Sequence, residues 1–219
     1  NVQTIASTST GALTLTTGNQ TGLNASDVMT VTTGAGADSI NVSAHTTSDV
    51  SVSTGAGNDT ITVALGAADV IDGGDGTDTL ATTTAATNAN VTNIEVLELD
   101  AGITQDMDNL SGVTGLTTIA VDNTGSSTIT DVGATLTDLT LHDTGTTTLV
   151  SVDRKVDTAS DSLAVKGDGN TTTTLTLNDE ETLTFDSSTG ATTVTTMNAA
   201  DVTKITVTGD ENLTIATLA

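Results

Sequence analysis

Three short stretches of this chain pair glycines with an aspartate at a fixed offset. They read TGAGADSIN at 33–41, TGAGNDTIT at 54–62 and GGDGTDTLA at 73–81. Each fits glycine–x–glycine–x–Asp–x–aliphatic, and chance does not place three such copies so close together. Glycine tolerates φ > 0, so the backbone can bend tightly and expose its carbonyl oxygens. The aspartate adds an anionic oxygen of the kind that hard divalent cations take. The residues that follow alternate, Ser39-Ile40-Asn41-Val42 and Thr60-Ile61-Thr62-Val63, which is a short strand with one apolar face. An oxygen-rich turn leading into a strand is half of a calcium site on a stack of strands.

Half-sites of this kind need elements that stack them. Asp38 and Asp59 are 59 − 38 = 21 residues apart, and Asp59 and Asp78 are 78 − 59 = 19 apart. Asp27, Asp49 and Asp69 fall in the gaps, so the series steps by 11, 11, 10, 10 and 9. That regularity predicts coils of two strands and two turns, with one turn type on each edge. The gap aspartates lack the glycine pair. They read as exposed turn residues that bond to their own backbone.

After residue 81 the repeat continues without the glycine motif. Aliphatic pairs recur at Leu97/Leu99, Ile119/Val121, Leu139/Leu141, Leu163/Val165, Leu183/Phe185 and Ile205/Val207, and their second members step by 22, 20, 24, 20 and 22. An acidic residue follows each pair, at Asp100, Asp122, Asp143, Asp168, Asp186 and Asp210, and a second strand begins after it. Such a unit cannot bury its apolar face alone, and stacking solves that. The predicted fold is all-β: a right-handed parallel β-helix, or β-solenoid, with coils of about 19–24 residues. About ten coils at about 4.8 Å per layer would make a rod on the order of 50 Å long.

Composition agrees. The 219 residues carry Asp+Glu 28 against Lys+Arg 4, a formal charge of −24. Threonine is roughly a quarter of the chain, Phe185 is the sole aromatic residue, and there is no Pro or Cys. Thr and Val favour strands, and helix formers are too sparse for long helices. A solenoid core of narrow Val, Ile, Leu and Ala ladders needs no aromatic filling.

The sequence divides into residues 1–81, a solenoid segment with cation turns, and 82–219, a continuation with degenerate turns. Residues 81–93 (ATTTAATNANVTN) lack alternation and are predicted to be a loop or helical detour. Asp106-Met107-Asp108-Asn109-Leu110 reads as a short helical turn or bulge. Ser151–Ser162, carrying Arg154 and Lys155, reads as a protruding loop.

The charge excludes nucleic acid, whose phosphates would be repelled. Catalysis finds no support and the chain reads as no enzyme. Arg154 is the sole arginine, His45 and His142 sit in no recognisable motif, and there is no G-x-S-x-G or cysteine nucleophile. No apolar run reaches membrane-spanning length, and no N-terminal signal peptide is visible. Residue 1 is Asn, so the chain reads as an excerpt of a longer one.

The three glycine motifs resemble the repeats-in-toxin (RTX) family, whose nonapeptide G-G-x-G-x-D-x-U-x marks a calcium-binding parallel β-helix. The resemblance implies calcium between turns of successive coils on one edge, in about two sites. Carried over by position, the carboxylate ligands are Asp38, Asp59 and Asp78. The carbonyl ligands are those of Thr33, Gly34, Gly36, Thr54, Gly55, Gly57, Gly73, Gly74 and Gly76. Thr33 and Thr54 depart from the family by replacing its first glycine, which makes those turns less free. The family also implies type I secretion and an extracellular setting, where millimolar calcium fills weak sites.

Gly76-Thr77-Asp78-Thr79-Leu80 followed by Asn93-Ile94-Glu95-Val96-Leu97-Glu98-Leu99 also resembles bacterial surface-layer (S-layer) proteins, as does the acidic, Thr-, Ala- and Gly-rich composition. That resemblance implies a structural role at the cell surface. The solenoid would self-assemble into a two-dimensional lattice through calcium-bridged neighbours, and a region outside this chain would bind cell-surface polysaccharide. The alternatives are a calcium-rigidified adhesin or ice-binding segment, or the secretion-targeting tail of an exported enzyme. Irregular coil lengths are expected to break the flat threonine array that ice binding requires.

Overall fold

A computed structural model describes residues 3–20, 22–24, 26–142 and 145–219. Its strands are β1 Thr4–Ala6, β2 Thr14–Thr16, β3 Val28–Thr32, β4 Ser39–Asn41, β5 Asp49–Ser53, β6 Thr60–Val63, β7 Val70–Asp72, β8 Thr79–Thr82, β9 Ala89–Thr92, β10 Val96–Leu99 and β11 Thr104–Asp106. They continue as β12 Leu110–Ser111, β13 Thr118–Val121, β14 Ser126–Val132, β15 Asp138–Leu141, β16 Thr146–Arg154, β17 Ser162–Asp168, β18 Thr171–Thr176, β19 Thr182–Gly190, β20 Thr192–Asn198, β21 Lys204–Thr208 and β22 Leu213–Leu218. The helical content of the described residues is one 3₁₀ turn, Met107–Asn109. It falls where a short helical turn is predicted.

Two compact units emerge, Asn1–Glu98 with Asp108–Leu116, and Leu99–Met107 with Thr117–Ala219. In the first, β1, β3, β5, β7, β9 and β12 pair side by side in that order, and β2, β4, β6, β8 and β10 make a second sheet. In the other unit the two sheets are β11-β14-β16-β18-β20-β22 and β13-β15-β17-β19-β21. The strand pairs are parallel and successive strands alternate between sheets, so each coil gives one strand to each. This is the all-β solenoid predicted, matching a right-handed parallel β-helix, with about nine turns in the two units together.

Period-2 alternation explains the strands. In β3 and β5, Met29, Val31, Val50 and Val52 point inward and are buried, while Thr30 and Ser51 face outward. Register then stacks like on like. Val31 lies opposite Val52, Val52 opposite Ile71, and Ile71 opposite Val91. On the other sheet Ile40, Ile61 and Leu80 form the matching ladder. Each fully buried aliphatic side chain contributes about 1.5–3 kcal/mol relative to exposure.

Three local expectations are corrected. Residues 81–93 are neither plain loop nor helix: they contain β9, with Ala89 and Val91 buried and Asn90 outward. Ala89 and Val91 alternate correctly, but the polar residues around them mask the pattern. Ser151–Ser162 is not a loop throughout, because β16 runs on through Arg154, and that side chain is buried. Its Nε donates to Glu180 Oε1 at 2.7 Å, and Nη1 donates to the carbonyls of Gly133 and Leu136, both at 3.1 Å. The remaining residues 155–161 form the connection. The aliphatic pairs also slip once. Leu139 lies opposite Val165 and Leu141 opposite Gly167, an offset of 165 − 139 = 26 that the 155–161 connection absorbs. After that step the pairs realign, Leu163 with Leu183 and Val165 with Phe185.

Candidate metal centre

The three glycine motifs form turns that lie on top of one another in the first unit. Ala35 bridges Ala56 and Ala56 bridges Asp75 in parallel register. Gly36 N–H donates to the Ala56 carbonyl at 2.7 Å, and Ala56 N–H donates to Gly34 O at 3.0 Å. One coil on, Gly57 N–H donates to Asp75 O and Asp75 N–H to Gly55 O, both at 2.8 Å. The turns therefore carry a backbone ladder of their own, which brings every assigned carbonyl segment into one stack.

Glycine is required in this stack for two reasons. Gly57 and Gly76 have φ of 138° and 150°, a region that L side chains rarely adopt. A Cβ at Gly55, Gly57, Gly74 or Gly76 would also overlap the carbonyl oxygen of Gly34, Gly36, Gly55 or Gly57 respectively. The first position differs. Thr33 and Thr54 need no positive φ, and their hydroxyls donate to the carbonyls of Thr54 (2.7 Å) and Gly73 (2.8 Å). These threonines are buried links between coils, and they tighten the turns where family comparison suggested a loss. At Gly73 a Cβ would overlap the Asn93 carbonyl oxygen, so glycine returns there.

Asp38, Asp59 and Asp78 make a column of carboxylates. All three are buried, with exposures of 3%, 1% and 0%. Their Oδ1 atoms repeat one bond: Asp38 accepts from Leu13 N–H (2.7 Å), Asp59 from Asp38 N–H (2.7 Å) and Asp78 from Asp59 N–H (2.8 Å). Their Oδ2 atoms are buried and accept no hydrogen bond. A buried anionic oxygen without a partner is costly, and either a proton on the carboxyl or a cation beside it relieves that cost. Burial, followed by the neighbouring carboxylates of Asp59, Glu95 and Asp72, pushes Asp78 above the ordinary carboxylate range, against the bond from Asp59 N–H.

The orphaned oxygens and the glycine cradle together fit a hard divalent cation such as calcium. The donors are carboxylate and carbonyl oxygens only, as that ion prefers. Several carbonyls already accept one hydrogen bond, those of Gly34, Gly55, Thr54 and Gly73 among them. A carbonyl oxygen has two lone pairs, so each keeps one for a metal.

The opposite edge is different chemistry. Asp69 Oδ1 accepts from Val50 N–H and Oδ2 from Gly66 N–H, at 2.8 and 2.6 Å. Asp27 Oδ2 accepts from Asn24 N–H at 2.9 Å. Each aspartate accepts from a turn N–H three residues earlier, as predicted, but Asp69 also ties back to β5 of the preceding coil, and neither is exposed: Asp69 is buried and Asp27 half-buried. Asp49 plays no such part: it begins β5 opposite Val28, one position beyond the register of Asp27. Even spacing along the chain thus hides two roles.

Sequence reasoning missed two residues of the column. Asp78 N–H donates to Glu95 Oε2 at 2.8 Å, the same bond that Asp59 N–H makes to Asp78. Glu95 therefore stands where the next aspartate would. Asn93 precedes it with φ 52°, doing a glycine's work with a residue that tolerates the left-handed region. The signal was present in the stretch Asn93–Glu95, yet the turn is too short to match the repeat.

In the second unit, among the described residues, His142 sits half-exposed between Asp122 Oδ2 (3.5 Å) and Asp168 Oδ2 (3.3 Å). Asp143 lies outside the described residues. His45, in the first unit, is buried, with Nε2 3.1 Å from Thr17 Oγ1, and burial pushes its pKa down.

No protein-family model, curated protein or solved structure matches the chain.

Proposed function

We propose that this chain is a structural segment of a bacterial surface layer, a calcium-dependent β-solenoid that self-assembles into a two-dimensional lattice outside the cell. The observation that carries the reading is the column of buried Oδ2 atoms on Asp38, Asp59 and Asp78, each in a turn that only glycine can build. Calcium held there by these carboxylates and the turn carbonyls would cancel their repulsion and stiffen the coils. A lattice subunit needs that stiffness, and the remaining carboxylates of a −24 chain can share further ions with neighbouring copies. Sites of this type fill at millimolar external calcium, so assembly would wait until the chain leaves the cell. Export by a type I machine, and polysaccharide anchoring through another region, complete the proposal. Electron microscopy with calcium and after chelation tests it: ordered sheets that disperse in chelator support the coat, and dispersed particles under both conditions contradict it.

A second reading has one observation behind it. On β18, β20 and β22, Thr171, Thr193 and Thr214 stand in register, as do Thr174, Thr196 and Thr217. Coil lengths vary in the turns and leave these two ranks aligned, contrary to the expectation that they would break up. Paired threonine ranks at about 4.8 Å spacing are what an ice-binding face requires. Thermal hysteresis in supercooled solution would favour this reading, and its absence would leave the coat.

A further inference from the structure

The carboxylate column does not stop at the last glycine motif. Coil by coil, β7 pairs with β9 so that Asp72 lies opposite Thr92, which sets Gly73 beside Asn93. Glu95 N–H and Val96 N–H both donate to Asp78 O, at 3.2 and 3.0 Å, as Thr79 N–H donates to Asp59 O at 2.8 Å. Glu95 thus occupies the register of Asp78. Gly73 to Asp78 is five steps along the chain, while Asn93 to Glu95 is two, so the turn has lost three residues. The glutamate has one methylene more than aspartate, and its carboxylate still reaches Asp78 N–H.

A specific geometry results at Gly73. A Cβ built there would overlap the Asn93 carbonyl oxygen and would lie 2.7 Å from Asp78 Oδ2. Both oxygens crowd the same side of Gly73, where only a residue without a side chain lets them approach, and Asp78 Oδ2 is fully buried without a hydrogen bond. Asn93 is fastened in its left-handed conformation by Nδ2, which donates to Asp72 Oδ1 at 2.7 Å. That bond anchors the residue that carries the carbonyl.

We propose that this truncated turn is an additional calcium site, formed by Asp78 Oδ2 and the Asn93 carbonyl across Gly73, with Glu95 as the second carboxylate. It rests on the calcium reading of the glycine turns and extends it. With one intact glycine turn in place of two, it is the weakest site of the column, filling last and emptying first. It closes the column at the C-terminal end of the motif region. At the N-terminal end Leu13 takes the aspartate's place, and no carboxylate is supplied from that coil.

The test is calcium stoichiometry and affinity of the whole chain, by native mass spectrometry and titration calorimetry, for the parent and for Glu95→Gln. The glutamine oxygen can still accept from Asp78 N–H, so the fold is expected to survive, with far-UV circular dichroism as the check. The parent should bind one ion more than Glu95→Gln, with the tighter sites unchanged. Equal stoichiometry in the two overturns the additional site while leaving the calcium reading intact. No calcium bound to either overturns both. Should Glu95→Gln fail to fold, Glu95→Asp keeps the charge and shortens the reach. A loss of about ten- to hundredfold in affinity at the weakest site supports the proposal, and unchanged affinity overturns it.

Discussion

Replacing Asp59 by Asn should move stability in opposite directions with and without calcium. Asp59 is the middle member of the column, 1% exposed, with Oδ1 accepting from Asp38 N–H and Oδ2 accepting nothing. Asparagine has nearly the same shape and keeps an oxygen for the Asp38 bond. What it removes is a charge flanked by two others one coil away. At a coil spacing of about 4.8 Å and an effective dielectric constant of about 20, each neighbouring pair repels by about 3.5 kcal/mol, so two pairs amount to about 7 kcal/mol. Side-chain relaxation and salt reduce that figure. If about 2 kcal/mol survives, the metal-free Tm of Asp59→Asn should rise by about 4–8 °C. With calcium the sign reverses. An ion present at a hundred times its Kd contributes about 2.7 kcal/mol, and two inter-coil sites share Asp59, so about 5 kcal/mol is lost. The assay is thermal unfolding followed by far-UV circular dichroism in chelator and in millimolar calcium, because the chain lacks tryptophan and tyrosine. A shift of the same sign and size in both buffers would refute the reasoning, as would a parent protein indifferent to calcium.

Other perturbations follow from the same geometry. Gly76→Ala meets both a φ of 150° and the Gly57 carbonyl, and should cost at least about 1–3 kcal/mol in urea unfolding. Gly18→Ala meets nothing within 4 Å and should stay within about 0.5 kcal/mol of the parent. Asp78 has a raised pKa in the fold, so folding takes up a proton. In chelator, stability is fully present below the ordinary value of 3.8 and is lost as pH rises through the raised one, so mild acidification should stabilise the metal-free chain. In calcium the same acidification competes with ion binding and should destabilise it, which a Tm series in both buffers will show. Arg154→Met leaves Glu180 buried without its cation and should cost about 3–5 kcal/mol. Adding Glu180→Leu should recover most of that loss, measured as urea midpoints.

Much of this was legible in the sequence, for physical reasons. A turn that stacks on its neighbour must contain glycine at the close approaches, and a strand with one buried face must alternate, so 33–81 announces both its turns and its strands. The same logic fails where two demands differ. Even spacing linked Asp27, Asp49 and Asp69, but spacing along the chain does not report register, and Asp49 falls one position out. Residues 151–162 look like a loop because arginine and aspartates sit among few apolar residues. Arg154 is nonetheless an interior residue, since three backbone carbonyls and Glu180 satisfy its guanidinium. Glu95 was invisible as a column member because the deleted residues destroy the repeat while a longer side chain preserves the contact. Side-chain reach compensating for chain length leaves no periodic trace.

The central claim is that divalent ions lie between the stacked glycine turns, against the carboxylates of Asp38, Asp59 and Asp78. Anomalous scattering from crystals grown in calcium addresses it most directly. Peaks within about 2.3–2.6 Å of the Oδ2 atoms and the turn carbonyls are predicted. Featureless density beside Asp59 in a saturated crystal would contradict the account.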